Sequence, residues 1–163
     1  MRTKKTLSLL ILFTLLCSFN VCAQTKIVTG HPDFKIKIKR CEANGSTVVI
    51  DMLIENVGSN DVILKLNPYE TIAFDDEGDK FSKYKINVQL GDSGLVSGAI
   101  RQVAKNLLPP EIPLKARLQI DGVPESATEF KRIDLAVECS EWRLGTDKFV
   151  KFTNIPITRE GDE

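Results

Sequence analysis

The chain carries short apolar runs in which alternate positions are polar. The first begins at Phe34, where FKIKIKRC alternates apolar side chains with lysines. This period of two predicts a half-buried β-strand. Asn44 and Gly45 then supply a turn in which both residues tolerate positive φ. The next run, TVVIDMLIENVG, places four apolar residues on one face: Val48, Ile50, Met52 and Ile54. Together the two runs predict an antiparallel hairpin.

Six further runs follow, separated by turn residues and prolines. They are Val62 to Leu66, Thr71 to Phe74, Lys80 to Leu90, Leu114 to Ile120, Phe130 to Cys139 and Lys148 to Ile157. Proline lacks an N–H, and here it stands between the runs or near their ends, where no central ladder is broken. Eight short runs of this kind predict an all-β antiparallel sandwich of about seven or eight strands over residues 34–157.

The segment Gly91 to Leu108 does not follow this pattern. It begins with glycine and serine and then spaces Ile100, Val103, Ala104 and Leu107 as on a helix face. A short helix, an irregular strand and a loop all fit these residues. Because the segment is long and poor in fixed pattern, it is the first candidate interaction surface, and its deletion is then expected to change the partners that bind.

The first 23 residues have the pattern of a secretory signal peptide. Arg2, Lys4 and Lys5 precede an apolar run, and Val21 and Ala23 suit signal peptidase, which predicts cleavage before Gln24. We expect export to the periplasm, the cell surface or the medium. A membrane anchor is the alternative, but polar residues interrupt a run shorter than the roughly 20 residues that a spanning helix needs.

A lipid anchor on Cys17 or Cys22 is a second alternative. Lipid-directed cleavage favours a small residue before the cysteine, whereas Leu16 and Val21 stand there. After cleavage, residues 24–33 form a predicted flexible arm because they lack a periodic pattern, and residues 158–163 form a polar tail.

Cleavage leaves two cysteines, Cys41 and Cys139. In an exported protein an even pair of thiols predicts a disulfide. Two separate buried thiols are the alternative, since sequence alone cannot establish pairing.

Charge excludes one class of partner. The chain has 22 basic and 22 acidic residues, and loss of Arg2, Lys4 and Lys5 leaves 19 basic residues against the 22 acidic ones, a net charge of −3. Nucleic-acid binding needs a surplus of lysine and arginine. We therefore expect no nucleic-acid partner, and no motif indicates a cofactor.

Three segments resemble extracellular bacterial immunoglobulin-like domains of the DUF4352 type. IENVGSNDVIL resembles their asparagine, variable, glycine turn, LPPEIPLKARLQIDGVPESATEF resembles their proline-bearing turn and following strand, and KFTNIPI resembles the closing strand of small secreted Bacteroidetes proteins. The resemblance implies an immunoglobulin-like sandwich and no particular activity. Trp142 follows Cys139 instead of preceding it, which departs from the cysteine, tryptophan, cysteine order of true immunoglobulin domains.

Residues that would carry catalysis or metal binding are sparse. His31 is the single histidine and stands in the predicted arm, which suits no buried catalytic site. One histidine and two distant cysteines do not match a zinc site. The acidic group Asp75, Asp76 and Asp79 is a calcium candidate, but its spacing differs from the twelve-residue calcium loop, and we favour a polar hairpin turn.

These observations favour a non-enzymatic β-sandwich that contacts another protein or an envelope component through its surface or an edge strand. A carbohydrate-binding module is the alternative, with Trp142, Tyr69 and Tyr84 as candidate aromatic platforms, and Trp142 otherwise caps the core. A small secreted hydrolase is the third hypothesis and requires two carboxylates across a cleft.

Overall fold

Two antiparallel β-sheets face each other across an apolar core. The structure is a computed structural model that describes residues 24–139 and 148–160. Its strands are β1 (Lys26–Val28), β2 (Phe34–Asn44), β3 (Thr47–Asn56), β4 (Val62–Leu66), β5 (Ile72–Asp75), β6 (Lys80–Ser82), β7 (Ile86–Leu90), β8 (Val96–Ser97), β9 (Ala104–Leu108), β10 (Leu114–Asp121), β11 (Glu129–Cys139) and β12 (Phe149–Pro156). Two 3-10 turns, Lys83–Lys85 and Gly98–Ile100, complete the regular structure of these residues.

One sheet has five strands in the order β2-β3-β10-β7-β8. The other has seven strands, with β1-β12-β11-β4-β9 as its main path and the pair β5-β6 beside the first half of β11. Each strand pairing within the sheets is antiparallel. The predicted all-β antiparallel sandwich is therefore confirmed, and the described residues form twelve strands where seven or eight were expected.

The period-two pattern explains the core. Alternate residues of β3 are buried, and they include the predicted face: Val48, Ile50, Met52 and Ile54. Burial of each such side chain contributes roughly 1.5 to 3 kcal/mol of transfer free energy. Phe81 and Phe130 pack edge to face in the same core, with their ring centroids 6.1 Å apart.

Two predicted boundaries are corrected. The run Lys80 to Leu90 is not one strand, because Lys83 adopts a left-handed φ of 49° and the chain turns between β6 and β7. The predicted arm contains β1, in which Ile27 pairs with Phe152 and packs on the core. Two adjacent apolar residues, Ile27 and Val28, show no alternation and were too weak a pattern to indicate this strand.

The polar tail also starts later than expected. Arg159 Nη2 donates hydrogen bonds to the carbonyl oxygens of Pro124 (2.8 Å) and Ala127 (3.1 Å). Thr158 forms a bridge with Glu42. Thr158 and Arg159 are therefore docked on the sandwich, and residues 161–163 lie outside the described part of the chain.

The segment Gly91 to Leu108 folds as β8, a 3-10 turn and β9. β9 forms one edge of the seven-stranded sheet, and its residues Ala104 and Leu108 are buried in the core. Deleting the segment would remove core as well as surface, so that deletion cannot report on partner binding alone. No helix of the described residues has the length and apolar character needed to cross a bilayer.

Candidate functional site

The longest edge strand of the sandwich is β2. It contains 11 residues, whereas the other strands at sheet ends are short: β1 with 3, β8 with 2 and β9 with 5 residues. β2 pairs with β3 from Phe34 to Asn44, with a shift of register between Ile38 and Arg40 that leaves no β3 residue opposite Lys39. In residues 24–139 and 148–160, no strand pairs with the outer side of β2. Such an edge presents backbone N–H and C=O groups that a further strand can pair with.

The chain itself closes one end of this edge. There, the Ala43 N–H donates to the Thr158 carbonyl oxygen, and the Thr158 N–H donates to the Cys41 carbonyl oxygen, both at 2.9 Å. At the other end, the chain enters β2 from the connection after β1, and the Asp33 carbonyl accepts from the Val57 N–H at 2.9 Å, which continues the ladder between β2 and β3. The open stretch between them is Lys35 to Lys39. Five strand residues span roughly 17 Å.

A groove runs beside this stretch, between the edges of the two sheets. One part, of about 420 Å³, is lined by Ile27 of β1, Ile36 and Ile38 of β2, and Ile155 of β12. A neighbouring part of about 500 Å³ continues around the start of β2. Ile27, Ile36 and Ile38 are half-buried and pack against the core. The groove therefore offers apolar surface directly below unpaired backbone.

The opposite side of the sandwich is closed. There, Asn106 of β9 donates from Nδ2 to the Leu90 carbonyl oxygen of β7 at 3.3 Å and to Asp92 Oδ1 at 2.7 Å. This side chain links the two sheets where their edges meet. The two sides of the same sandwich thus differ, and the β2 side is the accessible one.

Charged side chains mark the outer face of the five-stranded sheet. Asp51 of β3 is held between two arginines: Arg117 donates to it from Nε at 2.8 Å, and Arg40 donates from its own Nε. The hydrogen bond from Arg117 is the main cause that lowers the pKa of Asp51 below its ordinary value, with Arg40 adding to it. A general acid needs a raised pKa, so Asp51 is unsuited to that role. It lines a shallow depression of about 590 Å³ with Gln89 and Lys115.

The predicted disulfide between Cys41 and Cys139 is not formed, and both thiols are free. The Cys41 carbonyl oxygen accepts from the Thr158 N–H. The preceding Ile157 N–H donates to the Thr128 carbonyl oxygen, which places Cys41 near the start of β11. Cys139 is the last residue of β11 and pairs with Leu64. The strand between these points is about 30 Å long, whereas a disulfide requires the two Cα atoms to lie within about 7 Å. Burial raises the pKa of the Cys41 thiol to about 12.

The acidic group after β5 forms a turn, as favoured from the sequence. Asp75 Oδ1 accepts from the backbone N–H groups of Glu77 (3.1 Å) and Asp79 (2.8 Å). The Asp76 carboxylate accepts instead from the N–H and the hydroxyl of Thr128. Asp75 is 2% exposed, and its Oδ2 makes no hydrogen bond. Among the described residues, no three His, Cys, Asp or Glu side chains are grouped so that they could hold a metal ion.

His31 lies in the connection between β1 and β2 and lines the groove. Its Nδ1 accepts from the Asp33 N–H at 3.2 Å, and its carbonyl accepts from the Phe34 N–H at 3.3 Å. These contacts shape the connection. That His31 takes no part in a catalytic triad stays a prediction.

The aromatic candidates Tyr69 and Tyr84 lie in different surroundings. Tyr69 lies under two cations, Arg101 Cζ at 4.6 Å and Lys83 Nζ at 5.0 Å from its ring centroid. Arg101 also donates to the Tyr69 hydroxyl at 2.8 Å, and this hydrogen bond is the main cause that lowers the pKa of Tyr69. Tyr84 is 78% exposed. Trp142 lies outside the described residues, as does the predicted signal peptide.

The left-handed backbone of Lys83 and Arg101, with φ of 49° and 50°, holds the cations at Tyr69. Gly98 makes this possible: a Cβ built there would lie 2.5 Å from the Lys83 carbonyl oxygen and 2.9 Å from that of Pro68. The cations therefore belong to a tightly packed junction of three segments. A sugar ring stacking on the same face of Tyr69 would have to displace them.

Comparisons with known proteins give no family. No protein-family model matches the chain, and no curated protein matches it. The chain is similar to three solved structures at low identity. The ASH/PapD-like domain 7 of human CEP192 is 17% identical, with a TM-score of 0.38, over 69% of this chain and 74% of that one.

The other two are a family 123 glycoside hydrolase from Clostridium perfringens and the CooA pilin subunit of enterotoxigenic Escherichia coli. The hydrolase is 11% identical with a TM-score of 0.40, over 83% of this chain and 26% of that one. The pilin is 8% identical with a TM-score of 0.35, over 78% of this chain and 97% of that one. The resemblance to DUF4352-type domains stays a prediction.

Proposed function

We propose that this protein is a non-enzymatic binding module that accepts an extended segment of a partner protein along β2. The observation that carries the proposal is the open stretch Lys35 to Lys39, which has an apolar groove beside it and is followed by the bridge between Glu42 and Thr158. With export expected from the signal-peptide pattern, the partner is an envelope or extracellular protein.

Strand addition supplies both affinity and selectivity at such an edge. Backbone hydrogen bonds to the unpaired groups of β2 give affinity, and alternate partner side chains enter the groove and give selectivity. The remaining sheet edges suit this mode less well. β1, β6 and β8 contain only two or three residues each, and Asn106 of β9 bonds to β7.

The electrostatic environment of Asp51 favours binding over catalysis. Asp51 is ionised and held by Arg40 and Arg117, so it has no proton to donate to a leaving group. The residues that line its depression include no second carboxylate, whereas glycoside hydrolysis requires two. Its role in the proposal is to fix Arg40 at the end of the open stretch.

A photo-crosslinking amino acid placed at position 37 tests the proposal in the native cells. The expected result is a covalent adduct with one partner protein, mapped by mass spectrometry to an extended segment of that partner. The matched control places the same probe at position 131, an exposed position of β11 between two paired strands. Equal capture of the same partner from both positions would contradict binding at the edge.

Hydrogen exchange on the captured complex gives a second readout. Strand addition must slow the exchange of the Ile36 and Ile38 amides, because these residues direct their N–H groups away from β3 and gain ladder hydrogen bonds. Amides of β9 are expected to keep their rates. Protection confined to β9 would move the site to the opposite edge and refute the proposal.

A further inference from the structure

The open stretch of β2 carries a row of lysines, and this row defines the chemistry of its partner. Lys35, Lys37 and Lys39 are exposed and alternate with Ile36 and Ile38, which face the groove. On the function proposed above, we infer that the partner segment has about six residues in which acidic and apolar side chains alternate. The apolar residues enter the groove, and the acidic residues lie beside the lysines.

The lysines have little competition for an incoming carboxylate. None of the ion pairs among the described residues includes Lys35, Lys37 or Lys39. The nearby carboxylates of Asp51 and Glu42 bond to arginines.

Two further residues, Glu55 and Lys115, contribute charge to this face. Glu55 is cross-strand from Lys35 and offsets part of its charge, whereas Lys37 is cross-strand from the apolar Leu53. On the far side of β3, Lys115 is also opposite Leu53 and adds positive charge. The face at Lys37 and Lys39 is therefore cationic.

A strand added to β2 must place its side chains in step with this alternation. Side chains of neighbouring strands that point to the same face come within about 5 Å of each other, and opposite charges there are favourable while like charges are unfavourable. The same rule disfavours a second copy of this chain as the occupant, because β2 against β2 would bring two lysine rows together. Edge lysines are a known protection against such self-pairing.

The bounds of the open stretch set the length of the segment. The bridge between Glu42 and Thr158 occupies the backbone beyond Arg40, and β2 itself begins at Phe34, one residue before Lys35. A longer partner strand would meet Thr158 at one end or extend past the start of β2 at the other. Five to six residues of partner are accommodated, at roughly 3.3 Å each.

The test uses the whole mature chain and synthetic peptides in calorimetric titrations. The probe is acetyl-EVEVEV-amide, compared with acetyl-KVKVKV-amide and with forms of the first peptide N-methylated on alternate residues. We expect the acidic peptide to bind the unaltered protein and the basic peptide to bind at least about tenfold more weakly. Only every second residue of the peptide directs its N–H towards β2. N-methylation of that set of residues, and not of the other set, is expected to abolish binding.

Charge reversal on the protein completes the test. In the double variant K37E/K39E the preference is expected to reverse, so that the basic peptide binds more tightly than the acidic one. The matched control is Lys105→Glu on β9, which leaves the preference unchanged. Sedimentation of the unaltered protein without peptide is expected to give a monomer, and a dimer lost in K37E/K39E would overturn the inference in favour of a second copy.

The outcomes separate the two proposals. If both peptides bind equally and N-methylation still abolishes binding, the charge preference is refuted while strand addition at β2 stands. If N-methylated and unmethylated peptides bind alike, or if neither peptide binds at millimolar concentration, the function proposed above fails as well.

Discussion

Asn56 Nδ2 donates a hydrogen bond to the Leu108 carbonyl oxygen at 3.2 Å, which joins the end of β3 in one sheet to the end of β9 in the other. The same amide donates to the Asn60 carbonyl oxygen at 2.8 Å, and its Oδ1 accepts from the Gly58 N–H at 3.0 Å. Asn56 is 1% exposed. One buried side chain therefore satisfies three backbone groups and fixes the turn that follows β3.

The first prediction concerns this amide. Asn56→Ala leaves the three backbone groups without their partner, and the buried one, the Leu108 carbonyl, costs about 1 to 3 kcal/mol when it is unsatisfied. We expect the free energy of unfolding in urea to fall by about 1 to 3 kcal/mol. Asn60→Ala is the control, because Asn60 contributes only its backbone carbonyl to this network. A similar loss in both variants would contradict the role of the Asn56 side chain.

A second prediction separates backbone strain from steric overlap at Gly91. Its φ is +60°, and a Cβ built there would lie 2.3 Å from Asn106 Nδ2. Gly45 has nearly the same φ, +57°, with nothing within 4 Å of its Cβ position. Gly45→Ala is expected to cost about 1 kcal/mol through φ alone. Gly91→Ala should cost about 1 to 3 kcal/mol more, because Asn106 must move.

Thermal unfolding of the two variants measures this difference. Equal melting temperatures would mean that Asn106 adapts freely and that its bonds to Leu90 and Asp92 contribute little. A larger loss in Gly91→Ala would show that the closed side of the sandwich depends on a glycine at this position.

The sequence predicted the fold class because the sandwich core follows the local period of two. The face formed by Ile50, Met52 and Ile54 is visible in the residues themselves. β1 was missed, and β9 was only one of three alternatives for its segment, because each strand buries few side chains and is ordered by its neighbours. Ile27 is positioned by its pairing with Phe152, a partner 125 positions along the chain.

The candidate site could be predicted only in part. The alternation of lysine and isoleucine in FKIKIK indicated a strand, and an edge strand was proposed as the contact surface. Which strand lies at an edge depends on pairing between distant residues, and so does the position of Thr158 beside Cys41. The disulfide prediction failed for the same reason, since cysteine count and compartment do not encode the length of β11 between the thiols.

The third prediction concerns those thiols. At neutral pH in the folded protein, iodoacetamide is expected to modify Cys139 and to leave Cys41 largely unmodified, because Cys41 is 7% exposed and its pKa of about 12 keeps it protonated. Mass spectrometry of the chain that begins at Gln24, under non-reducing conditions, should give two added groups after unfolding. A mass two hydrogens lower with no modification would indicate an intramolecular bond and contradict the strand geometry.

The fourth prediction concerns the turn after β5. Asp75→Asn keeps the oxygen that accepts from Glu77 and Asp79 and removes a buried charge, so its stability is expected to stay within about 1 kcal/mol of the unaltered protein. Asp75→Ala removes that acceptor and is expected to lose about 1 to 3 kcal/mol. Adding calcium should leave the melting temperature unchanged, since Asp76 is committed to Thr128. A calcium-dependent rise that Asp75→Asn abolishes would restore the metal site.

The last prediction is a pH dependence. Arg117 and Arg40 lower the pKa of Asp51 in the folded protein, so its contribution to stability is complete above the unfolded-state pKa of about 3.9. It is lost as the pH falls through the lower folded-state pKa. Because all three side chains are partly exposed, Asp51→Asn is expected to lose less than about 1 kcal/mol at pH 7. Urea titrations from pH 7 to pH 2 should show this gap closing below pH 4, and the exposed Asp61→Asn, as control, should show no such gap. A gap that persists at pH 2 would mean that Asp51 acts through packing and not through its charge.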